Sequence, residues 1–97
     1  MQRPEDERKL EQYREQIDRI DAELLRLLNE RAGCALAIGA IKQRNNQPIF
    51  VPEREQQVLE RLATRNPGPL TDASIKAIYQ AIMDQMKVLE HELGEKS

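Results

Sequence analysis

Leu24-Leu25-Arg26-Leu27-Leu28-Asn29-Glu30-Arg31-Ala32-Gly33-Cys34-Ala35-Leu36-Ala37-Ile38 is the stretch that decides the fold. Extended in both directions, it becomes a seam of Leu10, Tyr13, Ile17, Ile20, Leu24, Leu27, Arg31, Cys34, Ile38 and Ile41. The spacing alternates three and four residues throughout, which is the heptad repeat of one long helix and predicts α-helix over about residues 5–43. Every seam position is apolar except Arg31.

A helix of that extent is ~58 Å long at ~1.5 Å per residue. A compact domain of this size has a radius of gyration of only roughly 13 Å, so two shorter helices cannot cover such a seam. A second copy of the chain is the natural cover, and a homodimer is expected. Gly33 and Gly39 argue against a plain coiled coil, since each costs about 1 kcal/mol relative to Ala in a helix interior. Together with Ala32, Ala35, Ala37 and Ala40, they would let another helix or a ligand come close.

Outward from this helix, the chain breaks twice. Arg44-Asn45-Asn46-Gln47-Pro48 with Pro52 is one break, and Asn66-Pro67-Gly68-Pro69 is the other. Ile49-Phe50-Val51 has no partner run and reads as loop rather than strand. A second helix is expected over 52–65: Pro52 suits its first position, Glu53 and Glu55 suit its positive end, and Val58, Leu59 and Leu62 form its apolar face. A third is expected over 71–93. Thr71 is its N-cap, Leu70 and Ile75 are spaced as a hydrophobic staple, and Ile75, Ile78, Ile82, Met86, Leu89 and Leu93 form its core stripe. Residues 94–97 are expected to fray. The fold class is therefore all-α, a single domain over 1–97 with one long and two shorter helices.

Composition narrows the function. Of 97 residues, 39% are apolar with one Phe, two Tyr and no Trp, so the core rests on aliphatic side chains. A net charge of −2 lacks the basic excess of a nucleic-acid binder. The chain shows neither a signal-like apolar segment nor an 18-residue apolar run, so no membrane partner is expected. The lone Cys34 cannot form an intrachain disulfide, and a cytoplasmic location is expected. One Cys and one His make no zinc site, and no glycine-rich phosphate loop is present, so neither metal nor cofactor is expected.

The polar residues out of pattern point to an anion. Arg31 could extend its head to water or pair with Glu30 or Asp21. Lys42, however, follows it by eleven residues, three turns plus ~20°, so the two share a face ~16 Å apart. Two cations converging there would repel unless an anion lay between them. Arg14 lies ~25 Å before Arg31, too far to join Lys42 on one small ligand within one chain. An antiparallel partner helix paired about Leu24 and Leu25 would bring its Arg14 level with residues 35–36, between Arg31 and Lys42. Arg54 and Glu55 taken alone are ordinary first-turn charges. Glu90 taken alone is a surface carboxylate near a helix end, where the helix dipole would raise its pKa. His91, Tyr13 and Tyr79 form no nucleophile or metal arrangement.

Three stretches carry a family resemblance. The first is Tyr13-Arg14-Glu15-Gln16-Ile17-Asp18-Arg19-Ile20-Asp21, continuing through Leu24 to Arg31 and Ile38-Gly39-Ala40-Ile41-Lys42. The second is Pro52-Glu53-Arg54-Glu55-Gln56-Gln57-Val58-Leu59, and the third is Ile78 to Met83 with Val88-Leu89-Glu90. Over roughly residues 8–93 the chain resembles the all-helical chorismate mutases, found alone or at the front of bifunctional chorismate mutase–prephenate dehydratases. The resemblance implies an intertwined helical homodimer that converts chorismate to prephenate for phenylalanine and tyrosine synthesis. It implies that Arg31 and the partner chain's Arg14 bind the substrate carboxylates. Lys42 would contact a carboxylate and the ether oxygen, Glu55 would accept from the ring hydroxyl with Arg54 beside it, and Glu90 would face Lys42 across the ether oxygen. Val51 stands where some members place an aspartate, Met86 where some have serine, and Glu90 where some carry glutamine. Two rivals stay open: a lyase of the same fold that releases pyruvate from isochorismate, and a non-catalytic helical dimerisation or regulatory module.

Overall fold

The computed structural model describes residues 3–95. Three helices follow in order: α1, Pro4–Arg44; α2, Pro52–Arg65; and α3, Asp72–Glu95. No strand occurs among the described residues, and Ile49–Val51 is loop. None of these helices is long and apolar enough to cross a membrane. The chain divides into two compact units at Gly33/Cys34.

The first unit is the N-terminal part of α1. Glu5, Asp6 and Glu7 occupy its first turn, where the unpaired N–H groups favour negative charge. Arg26 bridges Glu23 and Glu30 on its surface, the latter at 3.1 Å. Such exposed pairs, screened by water, contribute little to stability. The seam on this unit is exposed: Leu10, Tyr13, Ile17, Ile20, Leu24 and Leu27 are each 40–65% exposed.

The second unit holds the end of α1, the connecting loop, α2 and α3. Helix α1 stops in a Schellman motif. Gln47 N–H donates to Lys42 O at 2.8 Å, Asn46 N–H donates to Gln43 O at 3.3 Å, and Asn46 takes the left-handed conformation with φ 54°. Asparagine is second only to glycine at that position, which explains why the Asn45-Asn46 pair ends the helix. Pro52 opens α2, and Val51 before it is extended with φ −126° and ψ 95°. Thr71 caps α3 as expected, its Oγ1 accepting from Ser74 N–H at 3.1 Å. Leu70, however, remains 50% exposed, so the expected staple is at most a partial cover. Asn66 organises the α2–α3 turn, its amide donating to Leu70 O at 2.7 Å and to Asp72 Oδ1 at 2.9 Å.

Helices α2 and α3 pack on each other. Among the described residues, only Ala35, Val58 and Met83 are buried hydrophobics. The expected stripe on α3 holds in part: Ile75, Ile82, Met86 and Leu89 are half-buried, but Ile78 and Leu93 are 46% and 43% exposed, and the buried residue is Met83, outside the stripe. Helix α3 is also helical through Glu95, so the chain does not fray from residue 94; Lys96 and Ser97 lie outside the described residues.

Candidate active site

The first unit carries two of the cations singled out in the sequence. Arg14 is exposed and Arg31 is half-buried. Neither makes a hydrogen bond or ion pair among the described residues. Glu30, the neighbour that could have neutralised Arg31, is engaged by Arg26 instead. A half-buried guanidinium without a counter-ion is costly to desolvate, which favours an anion beside it.

In the second unit, Lys42 reaches forward over the helix terminus. Its Nζ donates to Ile49 O at 3.1 Å, a bond made possible by the Schellman turn that brings the loop back over α1. An ammonium has three donors, so two remain for other acceptors.

One turn before Lys42, Gly39 faces α3. A Cβ built on Gly39 would lie 3.2 Å from Glu90 Cγ, 3.5 Å from its Cβ and 3.6 Å from its Cδ. The absence of a side chain at residue 39 is what lets Glu90 lie against α1. Of the two helix-interior glycines, Gly39 thus has a packing reason, whereas a Cβ built on Gly33 would meet nothing within 4 Å among the described residues.

Glu55, in the first turn of α2, is held from α3. Gln80 Nε2 donates to its Oε1 at 3.0 Å, and Lys87 Nζ pairs with its Oε2 at 2.9 Å. Burial pushes the Glu55 carboxyl up, but the Gln80 amide and the Lys87 ammonium together outweigh it and hold it below the usual carboxylate range. The Glu55 carboxylate in turn raises Lys87. Lys87 also pairs with Asp84 at 3.2 Å and sits 4.3 Å from the Phe50 ring centroid, a cation–π contact with the loop.

Arg54 is exposed, and Val51 and Met86 are half-buried without polar contacts of their side chains. A cleft of 460 Å³ runs between the end of α1 and the end of α3, lined by Leu36, Gly39, Ala40, Gln43, Ile49 and Glu90 among others. Glu90 is the only sequence-predicted site residue on its wall, so this cleft is not the whole of the expected site. Among the described residues, no group of three or more His, Cys, Asp or Glu could hold a metal.

Lys87 and Gln80 escaped the sequence reading. The signal was present: Gln80, Met83 and Lys87 are spaced three and four apart, so two polar groups flank the buried Met83 on one face of α3. The interruption shows only with Met83 as the buried position; a stripe through Met86 leaves both polar groups off the core face.

A family model described as chorismate mutase type II matches residues 13–91. The bifunctional chorismate mutase/prephenate dehydratase of Aquifex aeolicus is 42% identical over 88 residues, covering 87% of this chain but only 24% of that protein. The chain thus spans about a quarter of the length of that bifunctional relative. The chorismate mutase of Methanocaldococcus jannaschii is 31% identical over 90 residues, covering 92% of this chain and 91% of that one. In three dimensions, the chorismate mutase of Helicobacter pylori, solved in complex with prephenate, superposes with a TM-score of 0.82 at 35% identity, covering 91% and 94% of the two chains. With a match that runs from Tyr13 in α1 to His91 in α3, this chain belongs to the chorismate mutase type II family.

Proposed function

We propose that the chain is a chorismate mutase, rearranging chorismate to prephenate in the cytoplasmic synthesis of phenylalanine and tyrosine, and that it works as a homodimer. Beyond family membership, one observation carries the reading. Gly39 admits Glu90 against the turn of α1 that ends in Lys42, which supports a proton donor and an ammonium acting on one atom.

The reaction breaks a C–O bond and forms a C–C bond within one molecule, and needs no nucleophile. The protein holds the folded, reactive conformer and stabilises charge that builds on the ether oxygen as the C–O bond breaks first. Lys42, anchored on Ile49 O, is a preorganised donor to that oxygen. Glu90 donates to it while protonated. Arg31 and the second copy's Arg14 bind the two carboxylates, and Glu55 accepts from the ring hydroxyl, with Arg54 beside it. Val51 and Met86 line the substrate with apolar surface.

The bare seam supports the dimer. Leu10, Tyr13, Ile17, Ile20, Leu24 and Leu27 form one contiguous apolar stripe, 40–65% exposed, of the kind that marks an interaction surface. The exposed, free thiol of Cys34 fits a reducing compartment.

The test is loss of chorismate absorbance with the wild-type chain and with Arg31→Ala, beside a parallel incubation with isochorismate. Turnover of chorismate that Arg31→Ala abolishes is the expected result. Pyruvate release from isochorismate alone would establish the lyase, and no turnover of either would leave a dimerisation module.

A further inference from the structure

We infer that Lys87 is the positioning residue for Glu55: its ammonium fixes the carboxylate that accepts the substrate's ring hydroxyl. The inference rests on the mutase reading above and adds to it a residue on which that reading does not depend.

Geometry supports it from three sides. Each Glu55 oxygen takes one donor, Oε1 from Gln80 and Oε2 from Lys87, both reaching across from α3. A carboxylate has about four acceptor sites, so each oxygen keeps room for one more donor while its orientation is set. Lys87 is itself fixed, by Asp84 one turn before it and by the Phe50 ring below it. Through Phe50 the same ammonium touches the loop whose Ile49 carbonyl holds Lys42. Two lysines thus grip adjacent loop residues, one from α1 and one from α3. Lys87 also lies one turn before Glu90 on α3, so the helix that carries the proton donor carries the brace for the hydroxyl acceptor.

The charge logic agrees. Lys87 and Asp84 are the charged groups acting on Glu55 among the described residues, both from α3, and their effects oppose. Asp84 raises the Glu55 carboxyl and Lys87 lowers it, with the Gln80 amide on the side of Lys87. Val51 offers no second carboxylate at the loop, which leaves Glu55 as the acceptor. An acceptor must be ionised, so activity carried by Glu55 declines as pH falls through its pKa. Without Lys87 that decline begins at higher pH.

The experiment measures kcat and KM against pH for the full chain and for Lys87→Met, Lys87→Arg, Glu55→Gln and the Glu55→Gln/Lys87→Met pair. Circular dichroism confirms folding, and Lys87→Gln replaces the Met variant if that one is unfolded. Lys87→Met is expected to lower kcat/KM on the order of tenfold at neutral pH and to move the acid limb upward, because a loosened acceptor misplaces the substrate. Lys87→Arg restores most of the loss. In the Glu55→Gln background, Lys87→Met costs less than about twofold, since coupled residues do not add. An unmoved acid limb, or a full loss in the Glu55→Gln background, overturns the role of Lys87 while wild-type turnover stands. Absence of wild-type turnover overturns the mutase reading itself, and the positioning role with it.

Discussion

Replacing Gly39 with alanine sets two effects of known sign against each other. In a helix interior, alanine is favoured over glycine by about 1 kcal/mol. The new Cβ, however, lies 3.2 Å from Glu90 Cγ and 3.5 Å from its Cβ. Carbon atoms at rest are separated by about 3.5–4.0 Å, so Glu90 must yield by a few tenths of an ångström. Pushing a side chain off its rotamer costs roughly 0.5–1.5 kcal/mol. The two terms nearly cancel, and the melting temperature should move by less than about 5 °C for a domain of this size. Activity has no such compensation. The displaced atom is Cγ, and the carboxyl swings further than the carbon that carries it. A misplacement approaching 1 Å can cost on the order of a hundredfold, so kcat should fall between about ten- and a hundredfold, with a smaller change in KM. The assay pairs thermal melts with chorismate consumption at saturating substrate. A Gly39→Ala chain of unchanged kcat would refute the claim that Glu90, held where it is by the bare Gly39, donates to the ether oxygen.

Other outcomes follow from the same geometry. Lys42→Ala should lower kcat/KM by roughly 3–4 kcal/mol in transition-state binding, as a lost oxyanion donor does; a loss under tenfold in steady-state kinetics would remove it from the chemistry. Arg14→Ala and Arg31→Ala chains, each inactive, should recover about a quarter of wild-type turnover when unfolded and refolded together, because a symmetric dimer of the two rebuilds one intact site. No recovery would place Arg14 and Arg31 in the same chain's site. Glu90→Gln should flatten the fall of activity toward high pH, since an amide donates without titrating; an unaltered profile would exclude Glu90 as the titrating donor. Glu55 is held below its ordinary range, so it stabilises the fold above that range and the contribution is lost as pH falls through its folded pKa. Glu55→Gln should therefore lower the melting temperature at neutral pH and narrow the gap to wild type in acid. A constant gap would show that the Lys87 pair does not stabilise the fold.

Much of the candidate site was legible because its residues interrupt local patterns. Arg31 breaks a heptad, Lys42 shares its phase, and Pro52 and Thr71 mark helix starts by chemistry that acts within one turn. Arg54, Glu55, Val51, Met86 and Glu90 carried no such mark and came from the family resemblance. Lys87 came from neither. On a charged, half-buried helix a lysine is ordinary until its partner across the interface is known.

The division between sequence and tertiary structure follows from range. Helix periodicity, caps and the Asn46 terminus depend on neighbours within about one turn, and the sequence alone determined three helices with nearly their observed bounds. The apolar seam, on which the proposal of a second copy rests, also follows from periodicity plus length. Which faces of α2 and α3 meet depends on their axial shift and rotation, and a slip of three residues separates Met83 from Met86 as the core. Only the packed structure could decide that Lys87 braces Glu55, that Glu90 rests on Gly39 rather than Gly33, and that Lys42 bonds to Ile49. Those contacts join residues on different elements, and no repeat along the chain records the distance between them.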